Sequence, residues 1–243
     1  MMNSPLSNQV VAVIPARFGS TRFPGKILAQ IAGKPMIQHV WQRISEATTI
    51  NQIIIATDDQ RIEKAALDFG AQVVMTDPAA PSGTDRVAEA VGQISADWII
   101  NVQGDEPLID PGVLDDFVRG LGDFPMATLA RQRFDQEGFQ DPNQVKVVFN
   151  DQEGALYFSR APVPCDRDGK GGPWWHHLGI YAYRPEALMR LVALPPSSLE
   201  KLECLEQLRA LENGIAIQVM PTTFESIGVD TPEDIARVEA LLL

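Results

Sequence analysis

Between Ile14 and Lys26 the chain reads IPARFGSTRFPGK, which crowds Arg17, Arg22 and Lys26 into one loop with Gly19 and Gly25. Glycines let a backbone approach phosphate groups closely, and the three cations can neutralise them. The loop follows the apolar run Val10–Ile14, and the C-terminal end of a strand is where open α/β sheets meet their ligands. It is not a Walker loop. Five residues separate Gly19 from Gly25, one more than that motif allows, and Ile27 stands where a magnesium-binding Ser or Thr is needed. The plain alternative is a surface loop with solvated cations. So dense a cationic cluster in a chain of net charge -12 favours an anion-binding loop.

Two acidic motifs accompany it. Ile99–Pro107 (IINVQGDEP) is an apolar run ending in Gln103, Gly104 and carboxylates. A carboxylate there suits magnesium, which commonly takes one or two carboxylates together with phosphate oxygens and water. Asp105 is the first candidate ligand, and the rival reading is a polar strand end followed by a proline turn. In Gly228–Asp234 (GVDTPED), Thr231 can cap a helix, Pro232 suits its first position, and Glu233 and Asp234 favour the positive end of its dipole. Capping leaves Asp230 unassigned, and it can share a magnesium ion with Asp105. Asp58 and Asp59 of ATDD are assigned no metal, because Asp59 can cap a helix beginning near Gln60. In PSGTDRVAEA, Ser82 or Thr84 can start a helix, while Arg86 and the Gly83 backbone can equally face a nucleotide.

Positioning these groups calls for a sheet. At 243 residues and 45% hydrophobic content the chain can bury a large core, and one domain spanning 1–243 is expected. Short β-rich runs alternate with helical periodicity, as in a parallel sheet covered by helices. Strands are expected at Val10–Ile14, Gln52–Ala56, Gln72–Met75 and Trp98–Val102. Helices are expected around Met36–Ile44 and Ile62–Phe69. The second half reads as Met126–Ala130, Val145–Phe149, Ala155–Phe158 and Leu178–Tyr183, a β-rich subregion of roughly 144–190 with a turn-rich loop at 164–177. A helix is expected from Ser198 to Glu212, stopped by Asn213 and Gly214, and another from VDTPED onward. The balance of 20 basic against 32 acidic residues argues against nucleic acid as a partner. Cys165 and Cys204 lack the spacing of a zinc site or disulfide framework. The opening residues have neither a basic leader nor a span-length apolar run, so a soluble, cytoplasmic protein with no membrane partner is expected.

In this order, IPARFGSTRFPGK, ATDD, SGTDR, NVQGDEP, ALYFSR, HLGIYAYR, LEQLR and GVDTPED resemble the 3-deoxy-manno-octulosonate (KDO) cytidylyltransferase family, also called CMP-KDO synthetases, from about Val10 to Val238. The resemblance implies a Rossmann-like α/β nucleotidyltransferase fold, a mostly parallel sheet flanked by helices with a smaller β-rich part for dimerisation and sugar binding. It implies the reaction CTP + KDO → CMP-KDO + pyrophosphate, with Mg2+ as cofactor, a homodimer, and a role in lipopolysaccharide biosynthesis. At the matching positions it implies that Arg17 and Lys26 grip the triphosphate with help from Ser20. Ser82, Gly83, Arg86 and Gln103 would line the CTP site, and Asp105 and Asp230 would hold magnesium. Arg22, Arg160, His177, Tyr181, Glu206 and Gln207 would hold the acidic sugar.

The sugar-side residues also have ordinary readings. His177 can be a satisfied turn residue, Tyr181 can simply pack, and Glu206 shares a three-residue spacing with Glu200 and Glu203, as on a solvated helix face. Arg160 follows an apolar strand, and a guanidinium can bind a carboxylate bidentately. Other readings are the same reaction on an 8-amino-3,8-dideoxy sugar, another sugar nucleotidyltransferase, a glycosyltransferase of related fold, or a non-catalytic nucleotide-sensing subunit.

Overall fold

The computed structural model describes residues 9–19, 23–92, 94–169 and 171–242. They fall into two compact units, one formed by Met1–Val118 with Ser226–Leu243 and the other by Arg119–Glu225.

The first unit is built on β1 (Val10–Ala16), whose residues Val10–Ile14 and Ala16 are at most 1% exposed. Burial on both faces explains its unbroken apolar run. A hairpin of β2 (Gln30–Ile31) and β3 (Lys34–Pro35) leads into α1 (Met36–Ser45). Next come β4 (Gln52–Thr57), α2 (Gln60–Asp68), β5 (Gln72–Met75), α3 (Gly83–Val91), β6 (Trp98–Asn101) and α4 (Pro111–Arg119). Strand β1 pairs in parallel with β4 on one side and β6 on the other, and β5 adds in parallel beyond β4. The chain therefore runs outward through β4 and β5, then returns to the far side of β1. Between β1 and β6 the connections depart in opposite directions, which opens a crevice at the strands' C-terminal ends.

The chain's last helix, Pro232–Leu242, returns to this unit. Val229 and Val238 are buried with Ile31 and Met36, and Phe23, Leu108, Ile227, Ile235 and Leu242 pack around them. Glu239 also accepts the Ala32 N–H at 2.7 Å.

In the second unit β7 (Met126–Arg133) lies between β10 (Trp174–Tyr183), antiparallel, and β11 (Ile217–Thr222), parallel. A second antiparallel pair, β8 (Lys146–Phe149) with β9 (Ala155–Ser159), joins β10 through His176 and Lys146. Helices α5 (Gln136–Gln140), α6 (Pro185–Val192), α7 (Ser198–Glu203) and α8 (Gln207–Glu212) complete it. Among the described residues no helix is long and apolar enough to cross a membrane.

Two expectations are corrected. The loop expected at 164–177 ends before Trp174, because Trp174–His177 pair with Ala130–Arg133 as the start of β10. Trp174 is 1% exposed and packs its ring against Phe139, so a pair of tryptophans read as loop is partly core. The helix expected over Ser198–Glu212 is two helices, broken at Cys204, which adopts a left-handed conformation (φ 52°, ψ 48°). Tertiary contacts override local propensity there. The Glu203 carboxylate accepts from Tyr157, Ser159 and the Arg160 N–H, while the Arg160 guanidinium donates to the carbonyls of Glu203 and Cys204. A left-handed non-glycine residue costs about 1–2 kcal/mol. Cys204→Gly is therefore expected to raise stability by about 0.5–1 kcal/mol after glycine's own entropic cost. Urea unfolding checks this, and a lower midpoint in the variant would contradict it.

Candidate active site

The loop after β1 is shaped by glycine. The Gly25 N–H donates to the Phe18 carbonyl at 3.0 Å, and Gly25 sits at φ 72° with its Cα facing the Phe18 ring. A Cβ there would fall 2.9 Å from Phe18 Cζ, so position 25 excludes a side chain on both counts. This closure directs the next residue, Lys26, into the first turn of a short 3₁₀ helix, Lys26–Leu28. Its Nζ lies 2.5 Å from Asp105 Oδ2, 3.3 Å from Asp230 Oδ1 and 3.2 Å from the Val229 carbonyl.

Asp105 follows Gly104, where a Cβ would meet Ile27 Cδ1 at 3.0 Å and the Pro15 carbonyl at 3.3 Å; the β6 turn can thus lie directly against the β1 loop. Asp230 is brought in by the return of the C-terminal segment. The Val229 N–H donates to the Asp105 carbonyl at 2.9 Å. Beside them, Ser226 Oγ lies 2.5 and 2.6 Å from the two carboxyl oxygens of Glu106. Burial pushes the Glu106 carboxyl up to about 7, with Asp105 and Asp230 adding to the rise against the Ser226 hydrogen bond and Lys26. Two aspartates thus contact the Lys26 ammonium, and Glu106 lies near enough to feel its charge.

The same carboxylates test whether a metal fits. Asp105 and Asp230 both lie against the Lys26 ammonium, so their oxygens are placed to share one positive centre. Among the described residues no group of three His, Cys, Asp or Glu side chains forms a ready metal cage. Two carboxylates that leave the remaining positions to phosphate oxygens and water are the donor set magnesium commonly uses.

A cavity of about 350 Å³ opens on the same side of the sheet, lined by Pro15, Ala16 and Arg17 after β1, Ala80–Gly83 and Arg86 at the start of α3, and Gln103 after β6. Arg17 is exposed at its edge. Ser82 is the α3 cap, its Oγ accepting from the Thr84 and Asp85 N–H groups, both at 3.1 Å. Arg86 is only 4% exposed. Its guanidinium donates to Thr76 Oγ1 and, at 3.0 Å, to Asp58 Oδ2, which fixes the cavity wall. The structure thus gathers Arg17, Ser82, Gly83, Arg86 and Gln103 about one cavity, and Lys26, Asp105 and Asp230 about one charge centre. Ser20 and Arg22 lie outside the described residues.

The other candidates belong to the second unit. His177 and Tyr181 project from β10 with ring centroids 5.4 Å apart, and His177 meets Phe158 edge-on. His177 Nε2 lies 3.1 Å from Thr128 Oγ1, at the point where β10 bulges between Leu178 and Tyr181. Burial raises the Tyr181 phenol well above its ordinary value, followed by Tyr183 and by the negative charge of Glu206, so Glu206 belongs to this group. Gln207 is buried at the start of α8. The Arg160 guanidinium donates to the carbonyls of Glu203, Pro142 and Cys204 at 2.7, 2.9 and 3.3 Å.

Against this geometry, the family profile described as Cytidylyltransferase matches residues 11–220. The chain belongs to the cytidylyltransferase family. Over 240 residues it is 51% identical to the 3-deoxy-manno-octulosonate cytidylyltransferase of Solibacter usitatus (strain Ellin6076), covering 97% of this chain and 95% of that one. It is also 51% identical to the 8-amino-3,8-dideoxy-manno-octulosonate cytidylyltransferase of Shewanella sp. (strain ANA-3), covering 96% and 98%. Among solved structures it is similar to a CMP:2-keto-3-deoxy-manno-octonic acid synthetase complexed with CTP, at 42% identity and a TM-score of 0.92 over 96% of this chain and 98% of that one.

In this cytidylyltransferase two features escape motif reading. Glu106 stands beside the obvious Asp105 in the same motif, but its partner Ser226 is 120 residues away. Lys146 is fully buried, donating to the carbonyls of Asp141, Gln144 and Arg160 at 2.8, 2.8 and 2.9 Å. Nothing in the surrounding sequence marks it as other than a strand-edge lysine.

The histidines carry a pH signature. His177 is held down to about 3 by burial and then by His176, and His176 to about 4 by burial and then by Arg133, Lys146 and Arg131. Both imidazoles are therefore neutral in the folded protein at pH 7. Unfolded, they titrate near 6.5. Below that value the unfolded chain binds more protons, so stability falls as the pH drops from about 6.5 towards 4. His177→Asn is expected to weaken this acid destabilisation by on the order of 1 kcal/mol at pH 5 relative to pH 7.5. Melting temperatures at the two pH values read the difference, and an unaltered pH slope would refute the assignment.

Proposed function

We propose that this cytidylyltransferase transfers CMP from CTP to 3-deoxy-manno-octulosonate, releasing pyrophosphate and supplying activated sugar for lipopolysaccharide biosynthesis in the cytoplasm. The observation that carries the reading is the convergence of Asp105 and Asp230 on Lys26 at the mouth of a crevice whose cavity is lined by Arg17, Ser82, Gly83, Arg86 and Gln103. The close likeness to a CTP-bound synthetase supports placing the nucleotide in that crevice.

In the reaction the sugar's anomeric 2-hydroxyl oxygen bonds to the α-phosphorus of CTP. The bond from that phosphorus to the bridging oxygen breaks, pyrophosphate leaves, and the hydroxyl proton passes to solvent. Arg17 and Lys26, with Ser20 and the glycine-shaped backbone, bind and orient the triphosphate, and such positioning with charge stabilisation provides most of the catalysis in phosphoryl chemistry. Ser82, Gly83, Arg86 and Gln103 form the pocket for the cytidine. Asp105 and Asp230 would hold magnesium, which when bound offsets phosphate charge and lowers the pKa of the attacking hydroxyl. Arg22, Arg160, His177, Tyr181, Glu206 and Gln207 are assigned to the sugar. Neutral His177 offers it a hydrogen bond and no charge, and Arg160 supports the assigned residues through its grip on Glu203 and Cys204.

The 8-amino sugar is the second reading, favoured by relatives of equal identity. Pairing of two copies through Arg119–Glu225 belongs to the same proposal, supported by the exposed Phe134, Leu156 and Leu202 of that unit. Light scattering would give a dimer mass, and a monomer at micromolar concentration would remove this part.

Asp105→Asn and Asp230→Asn are each expected to reduce turnover at least about a thousandfold while leaving the circular dichroism spectrum unchanged. Wild-type-like turnover in either variant would sink the metal assignment. Lys26→Ala is expected to raise the CTP requirement and slow the reaction about a hundredfold; an unchanged rate at every CTP concentration would remove it from the phosphate site.

Incubation with CTP, magnesium and each octulosonate, followed by mass identification of the product, tests the reaction itself. Pyrophosphate and CMP-KDO are expected. Product from the 8-amino sugar alone would select the second reading, and CTP binding without pyrophosphate would point to a sensing subunit.

A further inference from the structure

The ATDD motif, set aside as a helix cap, reaches the phosphate loop through Arg61. Asp59 caps α2 as expected, its Oδ1 accepting the Arg61 N–H at 2.9 Å. The same carboxylate also holds the Arg61 side chain, Nε to Oδ1 at 2.9 Å and a terminal nitrogen to Oδ2 at 2.6 Å. So tethered, the guanidinium carbon lies 3.3 Å from the centre of the Phe18 ring, directly over its face. Helix stability alone does not account for this placement. A cation in the first turn opposes the helix dipole, and a surface arginine has no need of an aromatic face.

Phe18 is the base of the loop. Its carbonyl receives the Gly25 N–H, and Gly25 abuts the ring so closely that no Cβ fits between them. The backbone on either side of this closure carries Arg17 and Lys26. Fixing the Phe18 ring therefore fixes both ends of the loop at once. We propose that Arg61, held by Asp59, is a positioning residue that clamps Phe18 and so keeps Arg17 and Lys26 set for the nucleotide triphosphate before it binds. The inference rests on the nucleotide reading of this loop. Preorganisation of this kind lowers the cost of binding and leaves the chemical step unaltered.

Three variants test it: Arg61→Ala removes the clamp, Asp59→Asn keeps a helix-capping oxygen but loses the charge that aims Arg61, and Arg61→Lys keeps a cation able to sit over the ring. In the nucleotide-free protein, hydrogen exchange of the Gly25 amide is expected to accelerate about two- to fivefold in Arg61→Ala and Asp59→Asn, with less change in Arg61→Lys. The KM for CTP is expected to rise by a similar factor, with kcat and the KM for the sugar within about twofold of wild type. Because the exchange measurement needs no substrate, it separates the two ideas. Accelerated exchange in a protein that does not turn over CTP would leave the clamp standing and overturn the nucleotide reading. Unchanged Gly25 exchange with normal CTP turnover would overturn the clamp. So would faster exchange with an unchanged CTP KM, or an equal loss of kcat in all three variants.

Discussion

The meeting of Asp105 and Asp230 at the Lys26 ammonium is the constraint on which the rest of the first unit depends. The partners lie 79 and 204 residues from Lys26, so no local preference can bring them together. A central strand must deliver Lys26, its neighbour β6 must deliver Asp105 at the same end of the sheet, and the chain's last segment must return to deliver Asp230. Burial of Val229 and Val238 against Ile31 and Met36 secures that return. Apolar packing provides the driving force, and the charges set the register within it.

Asp105 and Asp230 gather negative charge about the Lys26 ammonium. The surroundings sharpen this, since the neighbouring Glu106 carboxyl is pushed up to about 7 chiefly by burial and then by the two aspartates. Ser226 offsets part of the burial cost through its hydrogen bonds to that carboxyl. In the proposed reaction Arg17, Lys26 and a bound divalent cation would offset the charges of an anionic nucleotide and an anionic sugar.

The first unit was largely legible in the sequence because its elements obey one period at a time. Val10–Ile14, Gln52–Ala56, Gln72–Met75 and Trp98–Val102 each read as strands, and each is one to within two residues. The second unit was less legible wherever long-range contacts overrule local pattern. Ser198–Glu212 has continuous helical character, yet Arg160 and Glu203 dock the chain so that Cys204 must turn left-handed. Trp174 and Trp175 follow a glycine-rich stretch and read as loop, although strand pairing begins at Trp174. Arg160 follows an apolar strand, and its contacts with the carbonyls of Glu203, Pro142 and Cys204 join segments that no local pattern connects. The candidate cations of the Ile14–Lys26 loop and the carboxylates Asp105 and Asp230 are read from residue type and spacing, whereas cytosine and the octulosonate enter only through resemblance to relatives.

Capping and chemistry share several of these motifs, and the structure divides the labour by residue. In GVDTPED the carboxylate of Asp234 accepts the N–H groups of Asp230 and Thr231, at 3.0 and 2.8 Å, and lies 3.1 Å from Thr231 Oγ1. The helix start is thereby satisfied from within, by a residue three positions in, and Asp230 is released from capping to turn towards Lys26. ATDD divides in the same way: Asp59 serves the helix and Arg61, while Asp58 serves Arg86 in the cavity wall. In SGTDR one residue, Ser82, both caps α3 and lines the cavity. A cap reading therefore does not compete with a functional one. By satisfying the helix ends locally, it frees the adjacent side chains for the crevice.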